Sequence, residues 1–175
     1  MRLSRRSEYG IRALVDLVRS EDATAAPDHP QPKPQLHPNP APVALATLAE
    51  RNNLPPKFLE QILSTLKHGG IVRTTLGAHG GYAMAVDPST VSIGRIIRLL
   101  DGALAPLPCV SLRYYERCSC PDEATCSLRD VMLDVRDVML EILDRETLAD
   151  LAARPGRASI DPRGLHAEAL AGREI

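Results

Sequence analysis

The stretch 55–86, PPKFLEQILSTLKHGGIVRTTLGAHGGYAMAV, decides the fold. Pro55-Pro56 opens a helix, where proline is tolerated because first-turn amides have no intrahelical partner. Leu59, Ile62, Leu63 and Leu66 follow at the spacing of one buried helical face. The opposite face carries Lys57, Gln61, Ser64 and His68, and Gly69-Gly70 ends the helix. Residues 71–76 are β-branched and strand-like, 77–81 form a glycine-rich turn, and 82–86 supply a return strand closed by Asp87-Pro88. Upstream, Leu45, Leu48 and Ala49 make a short apolar face, and Arg51-Asn52-Asn53-Leu54 reads as a turn. Two helices across a tight turn, the second amphipathic and followed at once by a hairpin, predict a winged helix-turn-helix.

Outward from this unit, Ile11, Leu14, Val15 and Val18 give a first helix with Ser4 as its N-cap. Residues 21–42 break the pattern with seven prolines and read as an extended linker, in which His29 and His37 are solvated loop residues. Ser92 to Leu100 is a helix with Ile93, Ile96, Ile97 and Leu100 inside, stopped by Gly102. Beyond 127, Leu128, Val131, Met132, Val135, Val138, Met139, Ile142 and Leu143 recur over more than four turns, with charge on the other face. A long helix with so narrow a seam is expected to pair with its copy in a homodimer. The expected organisation is mainly α with a small β-hairpin: a winged-helix domain over 1–105 with a proline-rich insertion at 21–42, a cysteine loop at 106–127, a dimerisation helix at 128–150 and a disordered tail at 151–175.

The 175 residues are 44% hydrophobic and 25% charged, an ordinary globular composition, with a single Phe and no Trp, so the core must be aliphatic. No run approaches the roughly 18 apolar residues of a membrane span, and no signal peptide follows the basic start. A cytoplasmic protein is expected. The net charge of −1 hides an asymmetry: residues 1–100 carry 12 Lys/Arg against 8 Asp/Glu, residues 101–175 carry 9 against 14. A basic first half suits a polyanion-binding module. No nucleophile–base pairing suggests an enzyme, and the glycine-rich turn joins two strands where a phosphate loop needs a following helix.

A recognition helix presents its N-terminal residues to base edges in the major groove. Lys57, Glu60, Gln61 and Ser64 occupy that face, with Gln61 able to pair with adenine. Thr74, Thr75 and His79 on the wing are expected sugar–phosphate contacts, and Arg2, Arg5 and Arg6 backbone contacts from the first helix. The expected partner is double-stranded DNA.

Cys109, Cys118, Cys120 and Cys126 all lie within 18 residues of aperiodic chain. Thiolates are preferred ligands of zinc and of iron–sulfur clusters. Structural zinc favours paired C-x2-4-C knuckles, whereas here eight, one and five residues intervene. An iron–sulfur cluster, a zinc site and a thiol–disulfide switch are the three readings, and the spacing favours the first. Cys118 and Cys120 are close for two ligands of one metal.

Arg2-Leu3-Ser4, Phe58-Leu59-Glu60-Gln61-Ile62-Leu63, the run from Gly77 to Tyr82 and Cys109…Cys120-x5-Cys126 before a long helix together resemble the IscR/NsrR family of bacterial winged-helix regulators, over about 1–20 and 43–150. The resemblance implies a homodimer with crossed long helices, reading a partly palindromic operator as a transcription regulator, here read as a repressor. It implies a cluster that senses redox state, nitric oxide or iron–sulfur status, 2Fe–2S in preference to 4Fe–4S, although some members work without one. A histidine that one branch uses three residues after the last cysteine is Arg129 here. Glu8 stands where other members recruit an acidic ligand from the partner subunit, and Cys118 offers an alternative fourth ligand. Leu76 occupies a wing position that often holds arginine.

Overall fold

Ser4 caps the first helix as expected: its Oγ accepts the amide of Ser7 at 3.1 Å at the start of α1 (Arg5–Thr24). The computed structural model describes residues 3–24, 41–77 and 80–154. Arg2, His79, most of the proline-rich insertion with His29 and His37, and residues 155–175 lie outside the described residues. After α1 come α2 (Leu45–Asn52), α3 (Pro56–His68), strands β1 (Val72–Thr75) and β2 (Gly81–Met84), then α4 (Ile93–Asp101), α5 (Ser127–Arg145) and α6 (Leu148–Ala153).

Helix α1 runs past the predicted end at residue 20. Proline excludes helix from the residue before it, and the first proline is Pro27, so nothing local stops the helix earlier. A tertiary contact holds the extra turn: Glu21 is buried and accepts the Met84 amide of β2 at 3.0 Å. The buried face is also rotated from the expected one. Ala13, Leu14, Leu17 and Val18 are buried, while Ile11 and Val15 are half-buried.

Helix α2 buries Leu48 and Ala49 and takes in Arg51 and Asn52, which had read as turn. The turn is made at Asn53, whose φ of 52° is the left-handed conformation that asparagine tolerates best after glycine. Helix α3 buries Leu59, Ile62, Leu63 and Leu66, as its period predicted. β1 and β2 pair antiparallel, with Thr74 opposite Tyr82 and Thr75 opposite Gly81. Val43 extends this ribbon through two 2.8 Å backbone bonds with Tyr82. A Cβ on Gly81 would stand 2.3 Å from the Val43 carbonyl oxygen, so only glycine permits this approach.

Ser92 caps α4, and Ile93, Ile96, Ile97 and Leu100 join Leu14, Leu63 and Leu66 in one aliphatic core. Helix α5 ends at Arg145, short of the predicted 150. There Ile93 donates to the Glu146 carbonyl at 2.9 Å and Leu148 to that of Val91 at 2.8 Å, so tertiary bonds replace continued helix. Helix α6 then starts on a capping box between Thr147 and Asp150 and buries Leu148, Ala149 and Ala152. The expected tail therefore does not begin at 151: residues 151–153 are helical, and Arg19 Nε donates to the Ala152 carbonyl at 3.0 Å.

Candidate DNA-reading head and cysteine loop

The exposed side of α3 carries Lys57, Glu60, Gln61, Ser64 and Lys67. With Arg6, Thr65, Thr74 and Tyr82 these residues line one concavity between the recognition helix and the wing. Arg6 crosses to α3, its Nη2 donating to Thr65 Oγ1 at 2.6 Å, while that hydroxyl donates to the Gln61 carbonyl at 3.2 Å. Arg5 does not join them. Successive helical residues point about 100° apart, and Arg5 lines a separate groove with Leu3, Asp101 and Leu104. The two-residue alternation of a strand likewise separates Thr75 from Thr74. Thr75 is exposed outside the concavity, and Leu76 beyond it is 93% exposed. Burial, then the negative charge of Glu60, raises the Tyr82 phenol above its ordinary value, so it stays a neutral hydrogen-bonding group.

The cysteine loop is ordered by its own side chains. Asp122 accepts the Ala124 amide and the Thr125 hydroxyl, each at 2.9 Å. Glu123 accepts the Tyr115 hydroxyl at 2.6 Å and the Cys118 amide at 2.8 Å. The Tyr115 hydrogen bond, followed by that from Cys118, holds the Glu123 carboxyl below its usual range. Arg136 on α5 donates to the Val110 carbonyl at 2.9 Å and ties the loop to the long helix.

Cys120 approaches two other cysteines inside this frame. The Cys120 amide donates to Cys118 Sγ at 3.3 Å, and Cys120 Sγ lies 4.0 Å from Cys126 Sγ at the start of α5. Two sulfurs on one tetrahedral metal, each bound at about 2.3 Å, stand about 3.8 Å apart, close to this spacing. Contacts with Cys118 and then Cys126, together with burial, push the Cys120 thiol up to about 12. Cys109 is buried, and burial, then the proximity of Cys118, raises its thiol as well. Thiols so placed resist ionising together unless a cation neutralises them. The donor set is soft and fits iron–sulfur or zinc chemistry. Among the described residues, no three ligating side chains already surround a common point. All four cysteines are free, and Glu8 stays on α1 with Arg12 one turn on at 3.7 Å.

A family model described as Rrf2, iron-dependent transcriptional regulator, matches residues 35–154. The chain belongs to the Rrf2 family. It is 34% identical over 152 residues to an rrf2-like HTH-type transcriptional regulator of Rhodobacter capsulatus, covering 86% of this chain and 92% of that one. The solved structure of CymR, the global cysteine regulator of Bacillus subtilis, superposes with a TM-score of 0.65 at 28% identity, covering 87% of this chain and 97% of that one. IscR of T. potens superposes with a TM-score of 0.62 at 26% identity, covering 91% and 93%. This Rrf2 protein is accordingly a winged-helix, DNA-binding transcription regulator, in line with the predicted resemblance and fold class. The family is one of transcription regulators.

Within that assignment the structure adds residues that sequence reasoning passed over. Lys67 and Tyr82 line the concavity between α3 and the hairpin. Lys67 follows Ser64 by three residues on the same helical face and was legible by that spacing. Tyr82 needed the hairpin register, which places it opposite Thr74.

Proposed function

We propose that this Rrf2 protein is a homodimeric repressor, acting in the cytoplasm on a partly palindromic operator, whose DNA affinity is set by an iron–sulfur cluster on the loop 106–127. The observation that carries the reading is the approach of Cys120 to Cys118 and to Cys126 at the head of α5, with Cys109 buried in the same loop. A bound cluster would supply a redox-active anionic centre. Cys109, Cys120 and Cys126 would hold it, with Cys118 or Glu8 of the partner subunit completing the set.

The rest of the switch uses the chain's own residues. Ionising the thiols releases protons and replaces S–H contacts by bonds that fix the loop. Through Arg136 and Val110 the loop grips α5, and through the bidentate Arg98–Asp144 pair, at 2.6 and 2.7 Å, α5 grips α4. Rigidity at the loop is thereby passed to the reading head. A difference of about 3 kcal/mol between the two conformations changes DNA affinity roughly a hundredfold. The apolar stripe on α5 supports the dimer: Val131, Val135, Val138 and Ile142 are exposed at helical spacing.

A second reading is a thiol switch, favoured by the 4.0 Å separation of Cys120 and Cys126 and by the likeness to CymR. An absorption spectrum with iron and acid-labile sulfide analysis on anaerobically purified protein decides between them. The cluster reading expects colour, iron and sulfide, all lost in Cys109→Ala and Cys126→Ala. A colourless protein after reconstitution, with a Cys120–Cys126 disulfide formed on peroxide treatment, supports the second. Titration of holo and apo protein on DNA selected from a random pool tests control, and equal affinities sink the switch.

A further inference from the structure

Among the described residues, two buried side-chain polar atoms lack a hydrogen-bond partner, Ser7 Oγ and Arg129 Nε. The Ser7 hydroxyl can rotate within the core. The Arg129 Nε–H is fixed in the plane of its guanidinium, and a buried donor without an acceptor costs about 1–3 kcal/mol. Such a group persists where an acceptor is present in another state of the protein.

Arg129 is the third residue of α5, three beyond Cys126. From the first turn of α5 its charge acts on Cys109, Tyr115 and Glu123 of the cysteine loop. Glu123, the nearby carboxylate, is turned to Tyr115 and the Cys118 amide and does not accept from the Arg129 Nε–H. As neutral thiols, the cysteines are weak acceptors. As metal-bound thiolates they are anionic, and sulfur then takes charge-assisted hydrogen bonds. A guanidinium stays protonated and cannot itself ligate.

We propose that Arg129 donates its Nε–H to a sulfur of the iron–sulfur centre held by this loop and raises the reduction potential of that centre. The inference rests on the cluster reading above and makes Arg129 a positioning and tuning residue. Its sign follows from charge: reduction adds an electron to an already anionic centre, and a half-buried cation donating to sulfur favours the more negative state.

The test uses full-length protein reconstituted anaerobically, as wild type, Arg129→Lys and Arg129→Gln, with iron and sulfide analysis and a dye-mediated redox titration. All three should hold equal iron and sulfide. The midpoint potential should shift negative in Arg129→Lys, which keeps the charge but loses the planar donor, and further in Arg129→Gln, which loses the charge. Intact clusters titrating together in all three proteins overturn the inference alone. Variants that are folded by circular dichroism yet hold no cluster, beside a loaded wild type, overturn it too, since Arg129 would then serve assembly. A wild type without iron or sulfide overturns the cluster reading and this inference with it.

Discussion

Helices α3 and α5 carry the same kind of apolar stripe and meet different ends. On α3 the stripe Leu59, Ile62, Leu63 and Leu66 is fully buried within the chain. On α5 no residue is fully buried, and Leu128, Val131, Val135, Val138 and Ile142 are 45–58% exposed. The predicted seam divides: Met139 and Leu143, with Leu140, rest partly buried against the core, while the exposed stripe has no cover among the described residues. It borders an apolar groove with Leu3, Ile97 and Pro106. Periodicity thus reports that a face must be covered, and the chain's own fold decides whether it does the covering.

Truncating each face probes that difference most strongly. Leu63→Ala should lower unfolding stability by about 2–5 kcal/mol, the cost of a core cavity, at any protein concentration. Val138→Ala should cost less, and its effect should depend on protein concentration, as expected for a face covered by a second copy. Denaturant melts at two concentrations check both, and equal, concentration-independent losses would erase the contrast.

Charge on the exposed stripe sharpens it. Val135→Asp should give monomers by light scattering and weaken binding to the selected DNA by about a hundredfold, or ~3 kcal/mol. A wild type that is already monomeric at micromolar concentration contradicts the reading of α5.

The outer face of α3 should respond in specificity. Gln61→Ala should cost about 1–3 kcal/mol and relax preference at one position per half-site, with stability unchanged. Fluorescence titration on single-base variants measures this, and uniform weakening across sequences would make Gln61 a backbone contact.

The smallest effect concerns how α5 is joined to α4. The hydrogen bonds from Arg98 hold the Asp144 carboxyl below its ordinary value. A depressed carboxyl stabilises the fold above its unfolded value of about 3.9 and loses that contribution as pH falls towards its folded value. Wild type should therefore exceed Asp144→Asn by under about 1 kcal/mol near pH 7, because the pair is partly exposed. The gap should close below about pH 4. A gap that widens in acid would reverse the assignment.

These contrasts also explain what was legible in the sequence. Helix α3 is bounded by local signals, Pro55-Pro56 before and Gly69 after, so its limits and buried face were readable. Helix α6 was signalled as well by Thr147-x-x-Asp150, a capping box hidden within the amphipathic run that precedes it. The extra turn of α1 was not legible, because Glu21 finds its Met84 amide 63 residues away. Within the cysteine loop the four cysteines were plain, but their arrangement depends on Asp122 and Glu123 bonding to backbone and side-chain hydroxyls. Periodicity carries no trace of such contacts.

The Glu21–Met84 bond and the Val43–Tyr82 pair fasten the chain to β2 on both sides of the proline-rich stretch. The two fastenings fix the points that any connection between them must join, and closing a flexible connection costs only about 0.6 kcal/mol more for each doubling of its length. An experimenter who splices a reporter domain between these two fastenings should find the core contacts of α1 and α3 unchanged, because Glu21 and Val43 remain anchored to β2.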